Sequence, residues 1–97
     1  MLVKQTRTFD KTVKKLHSNQ KAALDLAIRA IITNPLIGEL KKGDLKIVRM
    51  YKFQMLNQLM LLAYLYGDMA QKLSFLALGT HENFYRDPKN QPISDHA

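Results

Sequence analysis

His81, Tyr85 and Arg86 stand close together in the run Gly79-Thr80-His81-Glu82-Asn83-Phe84-Tyr85-Arg86, near the end of a 97-residue chain. Imidazole titrates near neutral pH, so a histidine can give or accept a proton where a carboxylate or an ammonium generally needs tuning. Cleaving RNA takes a base for the 2'-hydroxyl, an acid for the departing 5'-oxygen and cations for the charge that builds on the phosphorane. His81, Tyr85 and Arg86 contain those chemical types. Spaced four apart, His81 and Tyr85 would share one side of a helical turn. The competing reading of a lone histidine is a structural hydrogen bond.

A second constellation lies in the middle of the chain. Strand alternation across Lys46-Ile47-Val48-Arg49-Met50-Tyr51-Lys52-Phe53 puts Val48 and Met50 on one face, and Arg49, Tyr51 and Phe53 on the other. If helices cover the Val48 face, Arg49 and Tyr51 point outward, and a cation beside an aromatic suits single-stranded RNA: phosphate meets the charge, a base stacks on the ring. Lys46 and Lys52 then belong to the covered face, near the sheet ends with their amines in water. The alternative is that Tyr51 and Phe53 pack under a loop. His17 sits in a polar turn and His96 at the far end, so three scattered histidines and no cysteine give no zinc-binding spacing. Neither a glycine-rich phosphate loop, a Ser-His-Asp arrangement nor a dinucleotide fingerprint is present, which argues against nucleotide-driven and acyl-transfer enzymes; no metal or other cofactor is expected.

The elements that must hold these residues are legible from periodicity. Leu73-Ser74-Phe75-Leu76-Ala77-Leu78 reads as a buried strand within Lys72 to Leu78, and Gly79 as the break that ends it. Upstream, Leu2 to Arg7 is a short strand; a helix then starts at Thr8, capped by Thr8 or Asp10, with Phe9, Val13 and Leu16 on one face. A turn at His17-Ser18-Asn19 leads to a second helix striped by Ala23, Leu24, Ala27, Ile28, Ile31 and Ile32, which Asn34-Pro35 ends. Leu36 to Gly43 reads as a loop, Asp44 to Gln54 as a strand, Asn57-Gln58 or the residues beside it as a turn, Leu59 to Tyr66 as a strand and Gly67-Asp68 as the next turn. The fold class is α+β: an N-terminal αα-hairpin packed on an antiparallel sheet, in one domain over residues 1–87, with a flexible tail over 88–97.

Fifteen Lys and Arg against eight Asp and Glu give a net charge of +7, enough to draw in polyanions, with nucleic acid first among them. An acidic protein partner would feel the same field. No apolar window is long enough for a signal peptide or a membrane span, so a cytoplasmic protein without membrane contact is expected.

The order of elements, together with Leu78-Gly79-Thr80-His81-Glu82-Asn83-Phe84-Tyr85, resembles the RelE/ParE superfamily of bacterial toxins from toxin–antitoxin modules, over roughly Lys4 to Asp87. Gly-Thr-His followed by an aromatic four residues after the histidine is similar to the YafQ-type branch, and Asp44 to Tyr51 to the family's basic central strand. The resemblance implies two N-terminal helices on an antiparallel sheet and, in the ribonuclease branches, a toxin that enters the ribosomal A site and cuts mRNA without metal. It further implies His81 as catalytic histidine, Tyr85 as C-terminal aromatic and Arg49 as a catalytic phosphate-holding cation; Tyr51, Lys46, Lys52 and Arg86 are expected, on their own chemistry, to contact RNA. A cognate antitoxin is the implied protein partner, and the ribosome and mRNA the implied target. The ParE-like alternative is a non-enzymatic inhibitor of DNA gyrase, and a further one is a relative that has lost toxicity. One departure stands out: many members open the strand equivalent to Gln58–Tyr64 with Tyr-Arg, and no arginine is present there. Arg49, Lys52 or Arg86 would have to replace it.

Overall fold

Thr6 stops the first strand and starts the first helix. In the computed structural model, which describes residues 2–42, 47–67, 69 and 71–81, β1 (Leu2–Gln5) gives way at Thr6 to α1 (Arg7–Lys14). The Thr6 hydroxyl accepts from the Phe9 N–H at 3.1 Å, satisfying a donor of the first turn, and itself donates to the Leu76 carbonyl at 2.6 Å. The cap is therefore Thr6, two residues before the predicted start, because the hydroxyl also has a sheet carbonyl to meet. In α2 (Ser18–Thr33) the Gln20 side chain reaches back to accept from the His17 backbone N–H at 2.7 Å. The helix ends at Asn34, whose φ of −140° is extended, as the following Pro35 favours.

The rest is sheet: β2 (Glu39–Lys42), β3 (Ile47–Met55), β4 (Gln58–Gly67) and β5 (Lys72–Thr80), in the spatial order β1-β5-β4-β3-β2. Neighbours from β2 to β5 are antiparallel, as expected of a meander, whereas β1 adds to β5 in parallel. Two expectations are corrected. Leu36 to Gly43 is not all loop, because Glu39–Lys42 forms an edge strand; four residues with a single apolar member, Leu40, carry too little alternation to announce one. Gly79 does not end β5, which runs on to Thr80 with Gly79 paired to Leu61. The β3–β4 turn falls where expected, at Leu56-Asn57 beside Gln58, closed by the pair Met55 and Gln58, and Leu56 takes a positive φ of 57°. The register of β4 and β5 slips between Ala63 and Tyr64, leaving Leu76 as the extra residue of a bulge, and its carbonyl is the one that Thr6 caps. Asp44 to Lys46 and the expected tail 88–97 lie outside the described residues.

The helices cover the aromatic face of the sheet, opposite to the expected one. Phe9, Leu24 and Ile31 pack with Met55, Met60, Leu62, Tyr64, Leu73, Phe75 and Leu78, with Tyr51 and Phe53 half-buried against them. Phe9 stacks on Phe75 at 5.5 Å between ring centres. Val48, Met50, Leu61, Ala63 and Ala77 form a separate, smaller cluster on the other face. Alternation separates two faces without saying which one is covered; here the bulkier set takes the helices, since it has more apolar area to withdraw from water.

Candidate functional site

Cross-strand register sets out the face away from the helices row by row. Lys52, Leu61 and Gly79 are neighbours across β3, β4 and β5; Met50, Ala63 and Ala77 form the next row; Glu39 and Lys41 of β2 stand beside Met50 and Val48. His81 follows β5 directly and is exposed. It lines a hollow on this same face. The hollow, of about 430 Å³, opens above these rows and is lined by Ile37, Glu39, Lys41, Met50, Tyr51, Lys52, Leu61 and His81. Gly79 contributes no side chain beside Leu61, so an apolar floor separates the lysines from the imidazole. A smaller hollow of about 230 Å³, bounded by Gln58, Leu59 and Thr80, shares His81 as a wall.

The charge of the larger hollow is positive. Lys41 Nζ lies 3.3 Å from Glu39 Oε1, with both side chains well exposed, and an ion pair so placed is weak and readily exchanged for another anion. Lys52 is exposed and has no ion pair among the described residues. A phosphate entering here would meet two ammonium groups, one of them unpaired, and an imidazole beyond. Charge-assisted contacts of this kind are the strong ones for phosphate.

Of the residues singled out by sequence, His81 and Lys52 come together in this hollow. Lys52 was expected on the covered face, and the reversal of faces brings it to the hollow instead. Tyr51 borders the hollow but lies nearly parallel to Phe53, 6.1 Å between centres and 14° between planes, on the helix side. Arg49 faces the helix side too. Its Nη1 donates to the carbonyls of Leu36 at 3.2 Å and Gly38 at 2.9 Å. Lys46, Tyr85 and Arg86 lie outside the described residues. Sequence reasoning missed Ile37, Glu39, Lys41 and Met50; the alternation Glu39-Leu40-Lys41, read as a strand, would have put both charged residues on one face.

Tyr64 is buried among the strands, where its hydroxyl donates to the Pro35 carbonyl at 2.7 Å and accepts from the Gly38 N–H at 2.9 Å. Burial pushes this phenol above its ordinary value, while the Gly38 bond and the Arg49 charge pull partly back.

The family model for the ParE-like toxin of type II bacterial toxin–antitoxin systems matches residues 3–89. The chain belongs to that family. The toxin shares its fold with the crystal structure of the intact E. coli RelBE toxin–antitoxin complex: the TM-score is 0.63 at 18% identity, over 80% of this chain and 93% of the other. A double arginine-to-alanine mutant of E. coli toxin RelE in the free state gives a TM-score of 0.66 at 17% identity, over 84% of this chain and 83% of the other. No curated protein matches the toxin significantly. Two N-terminal helices on a five-stranded, mostly antiparallel sheet are thus a RelE-like fold. Among the described residues, no helix of the toxin is long and apolar enough to cross a membrane.

Proposed function

We propose that this ParE-like toxin is an endoribonuclease that cuts mRNA on the ribosome without a metal ion, held in check by a cognate antitoxin. The observation that carries the reading is the hollow shared by His81, Lys52 and Lys41. A scissile phosphate resting between the lysines would present its ribose to the imidazole. His81 then takes the proton of the 2'-hydroxyl or returns one to the departing 5'-oxygen; the 2'-oxygen forms its bond to phosphorus as the 5'-oxygen bond breaks, leaving a 2',3'-cyclic phosphate. Lys52, which has no ion pair among the described residues, takes the duty that an arginine at the start of β4 has in many relatives. Tyr85 and Arg86, a few residues beyond His81, supply the second proton-transfer group and a further cation. The net charge of +7 favours docking on ribosomal RNA.

Brief induction followed by primer-extension mapping tests this. Wild-type toxin should break translated messages only. His81→Ala should abolish the breaks, and Lys52→Ala should reduce them by about 100-fold, the scale of losing one transition-state cation or donor. The second reading, a non-enzymatic gyrase inhibitor, is favoured by the ParE-like description of the matching family. Intact messages together with blocked supercoiling by purified gyrase would establish it and refute the first.

A further inference from the structure

We infer that Arg49 is a positioning residue, which with Tyr64 and Gly38 locks the loop after α2 and so holds β2, with Lys41, in the wall of the phosphate hollow. The inference rests on the proposed nuclease reading only for what the hollow binds; the lock itself stands on geometry.

The loop from Asn34 to Gly38 has little apolar burial to fix it, since Leu36 is 58% and Ile37 42% exposed. Polar anchors do so instead. Tyr64 holds the Pro35 carbonyl and the Gly38 N–H through one hydroxyl, and Arg49 holds the Leu36 and Gly38 carbonyls through one nitrogen. Both anchors come from a single cross-strand pair, because Arg49 of β3 is registered opposite Tyr64 of β4. Arg49 is also registered opposite Leu40, the middle of the edge strand. The fit at Gly38 is close: a Cβ there would come within 2.7 Å of the Tyr64 hydroxyl and 2.9 Å of its ring. Any residue but glycine would push the loop off its anchors.

This matters for the hollow because β2 has four residues and a single partner strand among the described residues. A slip of one residue against β3 would turn Glu39 and Lys41 to the other face of the sheet. Little in β2 itself opposes that slip, as only Leu40 is apolar and it is 40% exposed. The anchored carbonyl of Gly38, immediately before Glu39, is what sets the register. Arginine suits the task better than lysine, since the planar guanidinium fixes the directions of the two N–H bonds on that nitrogen.

The test compares full-length wild type with Arg49→Gln, Arg49→Lys and Gly38→Ala by amide hydrogen exchange and by cleavage of mRNA on translating ribosomes. Exchange at the β2 amides should accelerate at least tenfold in Arg49→Gln and Gly38→Ala, with Arg49→Lys rescuing it incompletely, while amides central to β4 and β5 keep their protection. In cleavage, Arg49→Gln and Gly38→Ala should raise KM by about tenfold with a smaller change in kcat, and Lys41→Ala should add nothing further on the Arg49→Gln background, as expected of residues acting as one unit. Unchanged β2 exchange in Arg49→Gln overturns the inference. So does loss of cleavage in Arg49→Gln with full activity in Gly38→Ala, the signature of an arginine that touches phosphate itself. If Gly38→Ala fails to fold, Tyr64→Phe replaces it, removing the same anchor without adding an atom. A wild type that cuts no message refutes the nuclease reading and leaves the exchange measurement to decide the lock.

Discussion

Replacing Tyr64 by phenylalanine removes one oxygen from the interior and nothing else. The ring stays, so its packing against Phe75, 6.3 Å away at 57°, is preserved. What is lost is the donor to the Pro35 carbonyl and the acceptor for the Gly38 N–H. Each such bond contributes about 0.5–1.5 kcal/mol net, and a buried partner left unsatisfied adds to the loss. Gly38 is buried, so Tyr64→Phe should cost about 2–3 kcal/mol. Against the ~5–15 kcal/mol typical of a domain this size, that is a large share, and it should lower Tm by about 10–20 °C. Urea unfolding followed by far-UV circular dichroism reads the change as a lower midpoint at unchanged slope. The same variant carries a pH signature. The phenol is raised above its ordinary value of 10.0 by burial, so the folded state holds the proton more tightly than the unfolded chain does. Its contribution is complete below pH 10 and is lost as pH rises through the raised folded value. Wild type should therefore lose stability faster than Tyr64→Phe above pH 10. A loss of stability smaller than about 0.5 kcal/mol, with parallel alkaline limbs, would refute this account of the anchor.

Two further changes probe how the elements are joined. Thr6→Ala removes both the α1 cap and the tie to the Leu76 carbonyl and should cost about 1–3 kcal/mol, whereas Thr6→Ser, which keeps the hydroxyl, should recover most of it in the same denaturation assay. Leu56→Asn should raise stability by about 0.5–1 kcal/mol, because φ of 57° strains leucine and suits asparagine, and calorimetry would register it as a higher Tm.

Much of the scaffold could be read from periodicity, and the limits of that reading have physical causes. The stripe of Leu24, Ala27 and Ile31 gave α2 its buried side, and the run from Leu73 to Leu78 gave the body of β5. Period-two alternation in β3 correctly separated Arg49, Tyr51 and Phe53 from Val48 and Met50. Which set met the helices depended on the summed apolar bulk of three strands, a property of no single one. The reversal exchanged the stations of Arg49 and Lys52. Arginine bound to main-chain carbonyls leaves no trace in side-chain patterning, so its place under the helices could not be anticipated, and β2 was too short and too charged to reveal Lys41.

The parallel pairing of β1 constrains the order in which the molecule can be completed. The Thr6 hydroxyl must wait for a carbonyl 70 positions later, and Leu2 to Gln5 find their strand partner only in β5. During synthesis the opening segment therefore leaves the tunnel with nothing to add to, while α1 and α2 emerge without the strands that Phe9 and Ile31 will contact. Closure of the largest loop comes last and is slow for that reason. A nascent toxin of this topology cannot complete the described sheet until β5 is out, so the fold forms after that strand has been made and not on the way to it.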